Sequence, residues 1–210
     1  MSETRTSPTA TDWLVFAALL AGALLMCGPF IWMISTSLKP SAEVFKFPPT
    51  LWSNTPQPEN YLRIFSTIPF GRAITNSVIV ACSVTLLQLL VCSMAAYAFA
   101  CLRFRGREVL FLIYLAALMV PSQVTLIPNF ILVRNLGWMD TYQGLILPYA
   151  FSSFGTFLLR QYMKTIPREL IEAARIDGAN HAQIYLGVVL PLSAPALGAL
   201  AIFTFAAQWN

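Results

Sequence analysis

The chain has 210 residues, of which 57% are hydrophobic and only 10% charged, with a formal net charge of +4. A soluble domain carries roughly 25% charged residues, so this composition excludes a water-facing globule and makes the bilayer the solvent for most of the chain. No Lys/Arg run is long enough to track a phosphate backbone, which excludes a nucleic-acid surface.

In chain order, residues 1–12 are polar and read as a disordered tail. Residues 13–37 form the first apolar helix, long enough for a hydrocarbon core that needs about 20 residues. A secretory h-region is shorter. Met26 is also too large for the position before a lipoprotein Cys27, so this helix is retained. Residues 38–71 hold Pro40, Pro48, Pro49, Pro56, Pro58 and Pro69 and are expected to be irregular, with one short helix near 59–65. The second helix, 73–101, extends beyond the hydrocarbon or tilts within it. A tight basic loop follows, with Arg103, Arg105 and Arg107. The third helix, 109–130, is interrupted by Pro121 and Pro128. A short connection, 133–141, leads to the fourth helix, 142–162. A polar stretch, 164–180, precedes a fifth apolar helix, 184–209, that holds Pro191 and Pro195. The expectation is an all-α polytopic membrane bundle with five spans.

The dense basic loop between helices two and three belongs in the cytoplasm by the positive-inside rule. Counting spans puts the N-terminus inside, 38–71 and 133–141 outside, and 164–180 inside. Lys164, Arg168 and Arg175 in the last loop agree, with Arg160 just before it. Lys39, Lys46, Arg63 and Arg72 in the outer stretch weaken the bias without reversing it.

The 164–180 loop carries its own structural signals. Pro167 suits the first turn of a helix, and Glu169 and Glu172 sit near the positive end of its dipole. Leu170, Ala173, Ala174 and Asp177 share a face by i, i+3, i+4, i+7 spacing. Gly178 stands where a positive φ ends a helix, and Asn180 is placed to cap the next one. Spacing alone fits either a docking knob or an ordinary helix-turn-helix between two spans.

Ser122, Thr125 and Asn129 fall at i, i+3, i+7 on helix three beside two prolines. Polar groups at membrane depth either line a pathway or satisfy one another in packing, and both readings stay open. Gln88, Ser152, Ser153 and Thr156 invite the same two readings. Gly22, Gly144 and Gly155 are read as sites of close helix packing, and Trp13, Trp32 and Trp138 as interfacial anchors. Cys27, Cys82, Cys92 and Cys101 form no C-x-x-C pair and are read as free thiols, and the single histidine, His181, has no cysteine near it. No metal site and no cofactor are expected. The absence of a G-x-x-x-x-G-K-[ST] segment argues against ATP hydrolysis by this chain. Asp12, Glu108 and Asp140 lie at span ends, which disfavours an ion-coupled carrier.

The run Glu172-Ala173-Ala174, two residues, Asp177-Gly178-Ala179, then Ile184 and Leu190-Pro191, resembles the EAA loop of ABC importer permeases. Pro29-Phe30-Ile31-Trp32, Asn60-Tyr61, Asn76-Ser77, Val120-Pro121, Leu147-Pro148-Tyr149 and Leu158-Leu159-Arg160-Gln161 resemble the carbohydrate, maltose-permease-like branch of that family. The resemblance implies a type I importer fold with six helices, so that a sixth span would be missing after Trp209-Asn210 and the chain would be C-terminally truncated. It implies that Glu172, Ala173, Ala174, Asp177, Gly178 and Ala179 couple to an ATPase. It also implies a pair of cytoplasmic ABC ATPase subunits, a sister permease and an extracytoplasmic solute-binding protein as partners. The setting is a bacterial or archaeal plasma membrane. The function expected is half of a translocation pathway for a sugar or oligosaccharide, worked by alternating access. The alternatives are a non-transporting assembly subunit, or a permease for another small solute such as a polyamine or glycerol phosphate.

Overall fold

The computed structural model describes residues 9–209. Among the described residues every regular element is helical. The expected disordered tail falls largely on residues 1–8, outside the described residues, as does Asn210. The first helix, α1 (Ala10–Ser37), begins before Trp13 because Thr9 caps it. The Thr9 hydroxyl accepts from the Asp12 amide, and the Asp12 carboxylate accepts from the Thr9 amide at 2.7 Å, a reciprocal capping box.

The chain divides into two compact units, Met1–Gly71 and Arg72–Asn210. In the first, α1 exposes every described side chain from Thr11 to Ile34, and it is long and apolar enough to cross a membrane. Two short helices follow, α2 (Ser41–Val44) and α3 (Asn60–Thr67). The irregular stretch around them is organised by polar contacts. The Asn60 amide donates to the Ser37 and Lys39 carbonyls at 3.0 and 3.1 Å. The buried Lys39 ammonium donates to the Thr50 carbonyl and lies 4.5 Å from the Trp32 ring centroid. Trp32 is therefore held by a cation as well as placed near a helix end.

The second unit is built around α4 (Phe70–Cys101), the other helix long and apolar enough to span alone. The expected third span is broken. Helix α5 (Arg107–Ala116) runs into a 3₁₀ turn at Ala117–Met119, and α6 (Ser122–Asn135) leaves at 95°. Pro121 has no N–H for the helical ladder and pushes Val120 to an extended conformation, so the helix must restart. The expected fourth helix is likewise split. Helix α7 (Tyr142–Ile146) and a 3₁₀ turn containing Pro148 precede α8 (Ser153–Met163), which Ser152 caps by accepting from the Gly155 amide at 3.1 Å.

After α9 (Arg168–Ile176), the chain re-enters apolar sequence through α10 (His181–Ile184), a π turn at Tyr185–Val189, and α11 (Leu190–Leu192). The last helix, α12 (Ala194–Trp209), departs at 75°. Pro191 and Pro195 remove two successive ladder donors here, and the Ser193 hydroxyl donates to the Val189 carbonyl at 2.7 Å. Among the described residues two helices meet the length and hydropathy requirement, or up to four if each bent pair counts as one span, where five were expected. The 142–162 stretch falls short because its helical runs are brief.

Buried Cys92, Ala96 and Tyr97 of α4, Leu159 and Met163 of α8, Ile171 of α9, Ile184 of α10, and Ala196 and Leu200 of α12 form one core cluster. Polar side chains cross the same interior. The Gln88 amide donates to the Tyr149 carbonyl at 2.8 Å and accepts from the Thr204 hydroxyl at 3.0 Å. Thr156 pairs with the Tyr114 hydroxyl at 2.9 Å, and Ser93 with the Tyr185 hydroxyl at 2.7 Å. The fully buried Cys92 thiol exchanges hydrogen bonds with the Ser152 backbone. A Cβ on Gly155 would sit 3.0 Å from Leu200 and 3.3 Å from the Cys92 sulfur, and one on Gly144 would strike the Trp138 carbonyl. Both glycines allow close approach as expected. Gly22 does not, since a Cβ there meets nothing within 4 Å.

Candidate functional site: an exposed helix at the polar end of the bundle

Helix α9 is bounded by local signals at both ends. Pro167 occupies the N-cap rather than the first turn, with an extended ψ of 129°. At the far end Gly178 takes φ +82°. Its amide donates to the Arg175 carbonyl at 3.0 Å, and the Ala179 amide reaches back to the Ala174 carbonyl at 2.9 Å. These two bonds make a Schellman motif, which satisfies carbonyls that a helix end leaves open. The same device ends α6, where Gly137 has φ +69°. Asn180 then caps α10 in a second capping box, closed by Gln183 at 2.8 and 2.9 Å.

The shared face expected for Leu170, Ala173, Ala174 and Asp177 is divided. Ala174 turns inward with Ile171, which is 8% exposed, and both pack on the core cluster with Ala179. Leu170 is 45% exposed and Ile176 87%, and Ala173, Glu172, Asp177 and Gly178 are exposed with them. A helix of this pitch has room for both: one stripe packs on α10 and the π turn and joins the core cluster, and the rest of the surface presents Leu170 and Ile176 among carboxylates.

The loop after α4 lies at the same end. Arg107 donates to the Leu102 carbonyl at 3.0 Å and pairs with Glu108 at 3.0 Å. Glu108 also takes the Arg160 guanidinium at 2.6 Å. Arg160 is only 3% exposed. It donates to the Phe99 carbonyl at 3.2 Å and lies 3.8 Å from the Phe111 ring centroid. Phe111 stacks on Phe157, and Phe99 touches both Phe111 and Tyr114. One arginine thus ties α4, α5 and α8 together beneath the basic loop. In sequence it reads only as part of a basic flank. Its burial depends on Glu108, 52 residues earlier, and no local pattern announces that pairing.

The three polar residues on α6 lie largely at the surface. Ser122 and Asn129 are exposed and Thr125 is half-buried, its hydroxyl donating to the Ser122 carbonyl at 2.9 Å. By contrast, Gln88 and Thr156 are committed to interhelix hydrogen bonds, which is the packing reading.

Helices long and apolar enough to cross a membrane, bent pairs at prolines and a short amphipathic helix at one end define the class of an integral membrane protein. Residues 88–210 match the family model described as binding-protein-dependent transport system inner membrane component. The chain is 36% identical over 199 residues to the sn-glycerol-3-phosphate transport system permease protein UgpE of Yersinia enterocolitica serotype O:8, covering 91% of this chain and 70% of that one. It is 38% identical over 174 residues to the protein of the same name from Escherichia coli O1:K1, covering 80% and 62%. Among solved structures it resembles a bacterial ABC transporter involved in the import of the acidic polysaccharide alginate, with a TM-score of 0.84 and 28% identity over 98% of this chain and 74% of that one. The chain belongs to the family of binding-protein-dependent inner membrane transport components. It is a permease subunit of an ABC importer, and such a subunit works with an ATPase, a sister permease and a solute-binding protein.

Proposed function

We propose that this permease forms half of a translocation pathway for a hydroxyl-rich solute, a sugar or glycerol phosphate, and that α9 is its coupling helix. The observation that carries the coupling role is the division of α9. Ile171 and Ala174 fix it to the core shared by the membrane helices, while Leu170, Ala173 and Ile176 remain exposed. A partner ATPase gripping the outer stripe would move the inner one, and the packed helices with it. Glu172, Ala173, Asp177 and Gly178 contribute to the exposed surface. Ala174 and Ala179 act from beneath by allowing close packing.

Positive-inside bias supports a topology with the N-terminus, the 103–108 loop and residues 164–180 in the cytoplasm. The Glu108–Arg160 pair, which joins the first of these loops to the helix leading into the second, is consistent with that placement. Residues 38–71 then face outward, toward the binding protein. Alternating access between inward- and outward-open states needs about 5.5 kcal/mol to swing a population from 1:99 to 99:1, which ATP binding at the partner supplies.

The solute class is supported by the relatives, whose names specify sn-glycerol 3-phosphate, and by a structural neighbour involved in alginate import. Ser122, Thr125 and Asn129 are the proposed path residues, with the exposed positions 122 and 129 available to a solute. The test is uptake into vesicles carrying the assembled importer and ATP, comparing labelled sn-glycerol 3-phosphate with maltose. Uptake of either, with ATPase stimulation by its loaded binding protein, is expected. Assembly with the ATPase but no uptake of any hydroxylated solute would favour the non-transporting assembly role.

A further inference from the structure

Beside α9 lies a cavity of about 750 Å³, which shares Glu172 with the surface assigned to coupling. Arg103, Lys164, Arg168 and Arg175 line it, drawn from the loop after α4, the end of α8 and both ends of α9. Arg107 and Glu108 also line it but are committed to one another, and Glu108 carries Arg160 as well. Among the described residues no carboxylate pairs with any of the other four cations, since the two ion pairs present both use Glu108. Glu172 is the one further acidic residue in the lining. The cavity therefore holds an uncompensated positive charge. Its floor is apolar, formed by the buried Met163, Ile166 and Ile171.

Two features select the ligand. The charge and the multiple N–H donors suit a phosphate group. The cavity is also continuous with an exposed apolar surface. Val109 belongs to its lining, and one turn further along α5 the exposed Leu112 and Ile113 extend the same apolar stripe. A free phosphate would use only the cations. An amphiphile would use both parts, its headgroup among the arginines and an acyl chain along α5. Basic pockets between membrane helices are suited to anionic headgroups in this way.

We infer that this cavity binds the phosphate headgroup of an anionic membrane lipid. The site shares Glu172 with the exposed surface of α9, and its test, made on the chain without an ATPase, does not rest on docking there.

The test is native mass spectrometry of the full chain in neutral detergent, titrated with phosphatidylglycerol or phosphatidylcholine. Phosphatidylglycerol is expected to bind at least tenfold more tightly. Arg103→Gln with Arg168→Gln should weaken it about thirtyfold, at about 1 kcal/mol for each cation near the surface. Arg103→Lys with Arg168→Lys, which preserves charge, should retain most of the binding and shows that the fold survives substitution at both positions. Lys46→Gln with Arg134→Gln removes equal charge elsewhere and should have no effect. Equal binding of the two lipids, or equal loss in the distant double variant, would overturn the proposal. Displacement of the lipid by millimolar inorganic phosphate would overturn the lipid assignment in favour of a soluble phosphate anion.

Discussion

Gly178 offers a graded test of the proposed coupling helix, because its surroundings separate backbone strain from crowding. Its φ is +82°, and a Cβ built there meets no atom within 4 Å. Any intrinsic cost of a substitution is therefore conformational. A left-handed residue with a Cβ costs about 1–2 kcal/mol, Asn is the least penalised, and a β-branched side chain is the most. At 1.4 kcal/mol for each factor of ten, Gly178→Ala should reduce the population of the closed Schellman turn by about five- to thirtyfold relative to an open one. Gly178→Asn should lose less and Gly178→Val more. The two bonds at stake, from the amides of Gly178 and Ala179, fix where α9 stops and α10 starts. The assay is ATP-dependent solute uptake in vesicles bearing the assembled importer, with basal ATP hydrolysis measured in parallel. Uptake should fall in the order Gly, Asn, Ala, Val, while membrane insertion is unchanged and hydrolysis continues uncoupled. Wild-type uptake by the Val variant would refute the reasoning. Equal losses for Asn and Val would show that bulk at a partner surface matters and that backbone strain does not.

Replacing Gln88 by Leu removes bonds to the Tyr149 carbonyl and the Thr204 hydroxyl. At about 0.6 kcal/mol for an average interhelix bond in a membrane and up to about 1.7, thermal unfolding in detergent should show a loss of about 1–3 kcal/mol, and Thr204→Val a smaller one that is not additive with it. Gly155→Val should destabilise by about 1–3 kcal/mol through overpacking against Leu200 and Cys92, and Gly22→Val should be neutral in the same unfolding assay. For topology, single cysteines at Lys46 and Arg105 in a cysteine-free background should label from opposite sides, with an impermeant reagent reaching position 46 from outside. Labelling of 105 and not 46 would reverse the orientation.

The boundaries of α9 were legible in the sequence because their determinants are short-range. Pro167, Gly178 and Asn180 each act within a few residues of themselves, and all three stand at helix boundaries. The long helices α1 and α4 were legible for a different reason, their sustained apolarity. The prolines marked an interruption in the third helix, but not the size of the bend. Hydropathy averages over a window and Pro121 lowers it little, yet the chain turns by 95° there. The face of α9 was assigned by periodicity, which gives the spacing of a stripe and not the direction of its neighbours. Only the core around Ile171 shows that Ala174 points inward. Arg160 was hidden for the same reason, since its partners Phe99, Glu108 and Phe111 are distant in sequence.

The central claim is that the exposed stripe of α9 docks on the importer's ATPase. Single cysteines at Ala173, Ala174 and Ile176, in membranes containing the assembled importer, test it through crosslinking to the ATPase with a short bifunctional thiol reagent. The geometry predicts strong crosslinks from positions 173 and 176, whose side chains are exposed, and a weak one from 174, which packs on the core. Crosslinks from 174 as strong as those from 176, or none from any of the three in an importer that still transports, would contradict it.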